Sequence, residues 1–193
     1  MAEDYLSRVT QYDDELNPFI AALIEGNTKS FIEIGSRFGG SLWRIANALP
    51  KGSKIVSVDS GKGMGGNKPG AQESLIACVN KLKELGYNAH LIIGDSHSRE
   101  IIDRAMSFAP FDAAFIDGDH TLEGVTLDWV YYGRHTRICG FHDVAWEKPT
   151  PYAGKLVDCK AFWDVLSKRY RSETHVHPNG NMGVGFLWPP QRS

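Results

Sequence analysis

Two short stretches carry most of the side chains that could do chemistry. Asp117-Gly118-Asp119-His120 sets two carboxylates and an imidazole side by side, and His142-Asp143 adds one of each. Buried acids are rare unless they are paired or bound to metal. Asp117, His142 and Asp143 offer two carboxylates and one imidazole to a divalent cation. An oxygen-rich set leans to Mg²⁺ or Mn²⁺, and each histidine moves the balance toward softer ions. His120 follows Asp117 by three positions. An unperturbed imidazole titrates near about 6.5 and can accept a proton at neutral pH. Its plainer roles are to cap the following helix or to orient Asp117.

A second group is rich in glycine and short polar residues. Glu33-Ile34-Gly35-Ser36-Arg37-Phe38-Gly39-Gly40-Ser41 suits a tight turn with close approach to backbone amides, and the helix start behind it favours an anion. The spacing is neither G-x-G-x-x-G nor a P-loop. A simple strand-to-helix turn would read the same way. Asp59 stands 24 positions after Gly35. An acid there can hold both ribose hydroxyls of a nucleoside or cap a helix. Asp95, Ser96 and His97 can hydrogen-bond an adenine edge, and Ser96 can equally cap the next helix. Residues 60–70 hold five glycines, which suits either a lid or a plain surface loop.

The elements between these groups must bring them together. Apolar runs predict strands over 30–34, 54–58, 89–93, 112–116 and 137–141. Helical periodicity predicts helices over 41–49, 71–85, 98–108, 122–132 and 160–168, and over 4–24 with a break at Pro18. Residues 170–176 and 182–187 read as a closing strand pair around Pro178-Asn179-Gly180. Strand and helix in alternation imply a parallel sheet covered on both faces. The closing pair makes it seven-stranded, with one strand antiparallel. In such a sheet the ligand sits beyond the carboxyl ends of the strands, which is where both polar groups fall.

Length and charge narrow the function. The 193 residues suffice for one domain with a sizeable core: a helical lead-in over 1–27, then sheet and helices over 28–193. The net charge of −2 gives no general pull toward nucleic acid or anionic membranes. The acidic, polar N-terminus has no signal-peptide core. Cys78, Cys139 and Cys159 lack metal spacing and suit reduced thiols in the cytoplasm.

Taken together, these motifs resemble the class I S-adenosylmethionine-dependent methyltransferases. FIEIGSRFGGS is similar to that family's first motif, KIVSVD to its second and GDS to its third. FDAAFIDGDH followed by GFHD is similar to the metal-dependent O-methyltransferases of small molecules and sugars. The resemblance covers about residues 28–145 and implies a Rossmann-like α/β fold. It implies that Glu33, Gly35, Ser36, Gly39 and Ser41 hold the methionine part of the cofactor. Asp59 would hold the ribose, and Asp95, Ser96 and His97 the adenine. Asp117, His142 and Asp143 would bind the metal, although His142 stands where many relatives carry a carboxylate. His120 falls where the catechol type has its catalytic lysine. The expected reaction is methyl transfer from S-adenosylmethionine to a small-molecule or sugar hydroxyl. A hydroxylase-like enzyme of the same fold, and a nucleoside-binding module without turnover, are the rivals. With no obvious insert, the acceptor pocket must come from 60–70, 144–154 and 177–181, with Trp146, Tyr152 and Trp188 as aromatic walls.

Overall fold

The structure, a computed structural model, describes residues 4–62, 69–147, 150–152 and 154–190. Five strands form the parallel part of the sheet: β1 (Ser30–Ile34), β2 (Lys54–Asp59), β3 (Asn88–Ile93), β4 (Ala113–Ile116) and β5 (Ile138–His142). Two more, β8 (Ser172–His175) and β9 (Val184–Leu187), close one edge. The strand order is β3-β2-β1-β4-β5-β9-β8. β9 runs antiparallel to both its neighbours, as no helix separates it from β8. A separate hairpin, β6 (Thr150–Tyr152) with β7 (Lys155–Val157), falls where a loop was expected.

Strand alternation sends side chains to two apolar layers. Phe31, Ile55, Ala113 and Phe115 pack under α1 (Asp13–Glu25), α2 (Gly40–Ala48) and α3 (Ala71–Glu84). Ile32, Ile34, Val56, Val58, Ala114 and Ile116 pack under α4 (Arg99–Met106), α5 (Leu122–Tyr131) and α6 (Cys159–Leu166). Among the described residues no helix is long and apolar enough to cross a membrane. The three cysteines are free and buried.

The expected break at Pro18 does not occur, and α1 runs through it. Proline removes one amide donor and crowds the preceding turn. Here Leu16, Phe19 and Leu23 are fully buried on one helix face, and that packing outweighs the lost bond. The chain before α1 is not one continuous helix: a short 3-10 turn covers Asp4–Leu6, and residues 7–12 cross the sheet's carboxyl edge toward α1.

Candidate active site

One cleft of about 600 Å³ lies at the carboxyl ends of β1–β5. Gly35, Ser36 and Ser41 line it from β1, Asp59 from β2, Asp95, Ser96 and His97 from β3. Asp117 and His120 line it from β4, and His142 and Asp143 from β5. Glu33 and Gly39 lie just behind. The sheet therefore gathers the expected cofactor, metal and catalytic residues at or just behind one cleft.

At β1 the chain turns within a tight space. Gly35 has φ +89°, and a Cβ there would stand 2.2 Å from the Asp117 carbonyl oxygen. Only glycine suits that turn. Behind it, Glu33 is fully buried, and Ser41 Oγ donates to its Oε1 at 2.5 Å. Its Oε2 has no hydrogen-bond partner. Burial pushes the Glu33 pKa up to about 8, with the Asp117 and Asp59 charges adding and the Ser41 bond opposing. Ser36 Oγ is bonded to Ser57 Oγ at 2.7 Å. Asp59 accepts the amides of Arg37 and Gly61, each at 2.7 Å. Burial raises its pKa against those two bonds.

The β3 end departs from expectation. Ser96 Oγ and His97 Nε2 both turn to Asp128 Oδ1, at 2.9 and 3.0 Å. Asp128, in α5, was invisible to sequence reasoning: it sits 31 positions from His97 and in no recognised motif. The hydrogen bond to Asp128 raises the His97 pKa against burial.

At β4 and β5 the charges interlock. Asp117 accepts from Gln11 Nε2 at 2.8 Å and lies 3.1 Å from His142 Nδ1. His120 Nδ1 is 2.5 Å from Asp143 Oδ2. Burial lowers the His120 pKa, but the Asp143 hydrogen bond and the Asp117, Asp143 and Asp119 charges outweigh it and raise it to about 9. The ring thus departs from the near-neutral imidazole expected for a free side chain. The His142 pKa is also raised, by Asp117 and Asp143 against burial.

The chemistry of this donor set fits a divalent cation. One ligand atom each from Asp117, His142 and Asp143 lies within 4.8 Å of the others. His142 Nε2 and Asp143 Oδ1 are buried without a hydrogen-bond partner, which is costly unless something else engages them. Asp143 also holds φ +60°, an unfavourable backbone state for a non-glycine residue.

The acceptor side differs from the expected loops. Trp146 lines the cleft as foreseen, joined by Leu156, Val157 and Met182. Trp188 does not: it packs on Phe186 and beneath the Arg171 guanidinium at 4.0 Å. Residues 177–181 also lie off the cleft, where His177 stacks on Tyr12 with ring centres 4.0 Å apart. The Tyr152 side chain and residues 63–68 of the proposed lid lie outside the described residues. The N-terminal segment, expected to be only a lead-in, contributes Arg8, Thr10 and Gln11 to the wall. No local signal could have revealed the Gln11–Asp117 bond, which spans 106 positions.

A sheet of this order, with acids and glycines round one cleft, defines a Rossmann-like methyltransferase. The family model described as a methyltransferase domain matches residues 32–144, and the chain belongs to that family. The fold is shared with the O-methyltransferase TomG of Streptomyces achromogenes, involved in tomaymycin synthesis and solved with S-adenosylmethionine. That pair is 17% identical over 98% of this chain and 88% of that one, with TM-score 0.65. An O-methyltransferase from Bacillus cereus, solved with S-adenosylhomocysteine, is 14% identical over 95% and 84% of the two chains, with TM-score 0.67. Cofactor-bound Rv0187 from MTB is 14% identical over 97% and 83%, with TM-score 0.63. At these identities the likeness establishes the fold. No curated protein sequence matches.

Proposed function

We propose that this single-domain enzyme transfers a methyl group from S-adenosylmethionine to a hydroxyl of a small acceptor. One observation carries the reading. Two acids, Asp59 and Asp117, line one cleft beside a histidine–aspartate cluster, with the buried Glu33 carboxyl just behind. That field suits a ligand with two positive centres, an ammonium and a sulfonium. Asp59 would bind the ribose diol, and the Glu33 oxygen without a partner sits behind the Gly35–Ser41 loop, where the methionine ammonium would lie.

The chain's task is alignment and proton removal. The acceptor oxygen attacks the methyl carbon in line with the sulfur, a C–O bond forms, and the C–S electron pair stays on sulfur as a neutral thioether. The hydroxyl proton must leave. His120 is oriented through Nδ1 by Asp143, the arrangement of a general base held by a carboxylate. Asp117, His142 and Asp143 would hold a divalent cation, which when bound lowers the hydroxyl pKa and fixes its position.

The wall next to His120 is apolar. Trp146 follows Asp143 closely in the chain, and the Asp158 amide donates to the His120 carbonyl, placing Leu156 and Val157 alongside. A flat, weakly polar acceptor such as a phenol fits it better than a sugar, which needs many hydrogen-bond partners. Incubation with S-adenosylmethionine and separate panels of phenols and sugars, with S-adenosylhomocysteine as readout, tests this. Turnover with phenols is expected. Cofactor binding without turnover on any hydroxyl compound would instead support a non-catalytic module.

A further inference from the structure

Asp128 lies outside the cleft and has no role in the reading above, yet it is the most completely buried acid on that side of the sheet, with no exposed surface. Its Oδ1 accepts from Ser96 Oγ and from His97 Nε2. One turn further on, at the C-cap of α5, the Tyr132 hydroxyl donates to the Ser96 carbonyl at 2.6 Å. Three hydrogen bonds therefore run from α5 and its C-cap to two consecutive residues of one loop. From the other side Gly94 presses on α4, where a Cβ would stand 2.4 Å from Ile101 Cδ1. The strip 94–97 is clamped between two helices. Asp128 Oδ2 is buried without a hydrogen-bond partner, so the carboxylate is kept in place despite an incomplete shell of donors. Such a group is costly and calls for a reason.

We propose that Asp128 is a positioning residue for nucleobase recognition: it ties the Ser96 and His97 side chains inward and so presents a rigid strip to the base of the cofactor. The proposal rests on the reading that the cleft takes S-adenosylmethionine. Ser96 and His97 line the cleft, whereas Asp128 does not, so its influence passes through them. A rigid strip offers one fixed order of donors and acceptors. Adenine presents an amine donor beside a ring acceptor; hypoxanthine presents a carbonyl beside a ring N–H, the reverse order. A site built for one pattern rejects the other, because mismatched polar groups are left unpaired. A strip freed from Asp128 can rotate its hydroxyl and imidazole toward the base and accommodate both. Asp128 thus governs specificity as well as affinity.

The test is calorimetric titration of the full-length protein with S-adenosylhomocysteine and with S-inosylhomocysteine. Wild type should prefer the adenine ligand by at least about 10-fold, the discrimination of one well-placed hydrogen bond. Asp128→Asn keeps the shape but loses the charge that holds both donors. It should weaken S-adenosylhomocysteine by about 10- to 100-fold and shrink the preference. A purely structural role would weaken both ligands alike and leave the ratio unchanged, which would overturn the proposal, as would unchanged affinity. If Asp128→Asn does not fold, His97→Gln and Ser96→Ala carry the same expectation for the ratio. Failure of wild type to bind S-adenosylhomocysteine at all would instead count against the cofactor reading.

Discussion

Replacing Glu33 with glutamine probes a fully buried carboxyl that has one oxygen without a hydrogen-bond partner. Glu33 sits on the same sheet face as Phe31 and Phe115, beneath α1, α2 and α3, and is fully buried. Burial dominates its titration and raises the pKa from 4.5 to about 8. The folded protein therefore keeps a proton that the unfolded chain releases above about pH 4.5. This contribution to stability is complete at low pH and is lost as pH rises from about 4.5 to about 8. The loss is about 1.4 kcal/mol per pH unit inside that window. Between pH 6 and pH 8, wild type should therefore lose roughly 2–3 kcal/mol relative to Glu33→Gln, which does not titrate. The amide brings a second N–H donor into a dry site and costs about 1–3 kcal/mol, but equally at every pH. Urea unfolding of both proteins at pH 6, 7 and 8, extrapolated to water, separates the slope from that offset. Parallel pH profiles would refute the reasoning, because they would mean that Glu33 is ionised throughout or titrates elsewhere.

Other consequences can be checked with simple assays. His120→Ala should lower kcat by roughly 10²–10⁴ while leaving S-adenosylhomocysteine binding nearly intact; a variant that loses cofactor affinity instead would make His120 structural. Proton removal by His120 needs the neutral ring, whose pKa the Asp143 hydrogen bond and the Asp117, Asp143 and Asp119 charges raise against burial, so the wild-type rate should rise toward alkaline pH; a flat profile in stopped assays would remove His120 as the base. Excess chelator should abolish transfer, and one divalent ion should restore it, with metal content measured in parallel. Full activity with no metal bound would leave Asp117, His142 and Asp143 as direct proton-transfer groups.

The parts legible in the sequence are those with local causes. Apolar runs such as Phe31–Ile34 and Ala113–Ile116 announce buried parallel strands, and the acids and glycines just after them mark the ligand edge. The rest depends on contacts between distant residues. Pro18 reads as a break because its cost is local, whereas the burial of Leu16, Phe19 and Leu23 that overrides it is tertiary. Gln11 reaches Asp117 across 106 positions, and Asp128 reaches His97 across 31. Both are ordinary polar residues on helical or connecting segments, with nothing nearby to mark them. Trp188 has the composition of a pocket wall, but its partner Arg171 on the neighbouring chain segment claims its ring. The His120 pKa is set by carboxylates from two different strand ends, so its sign required the fold.

The central claim is that Asp59 marks the ribose end of a cofactor cleft. Its two oxygens accept backbone amides from Arg37 and Gly61 and so are held in one orientation at the edge of β2. Calorimetric titration of wild type and Asp59→Ala with S-adenosylhomocysteine tests that claim most directly. The account predicts tight binding to wild type and a loss on the order of 2–3 kcal/mol, about 30- to 150-fold, in the variant. Equal affinity in the two proteins, with both folded, would contradict it.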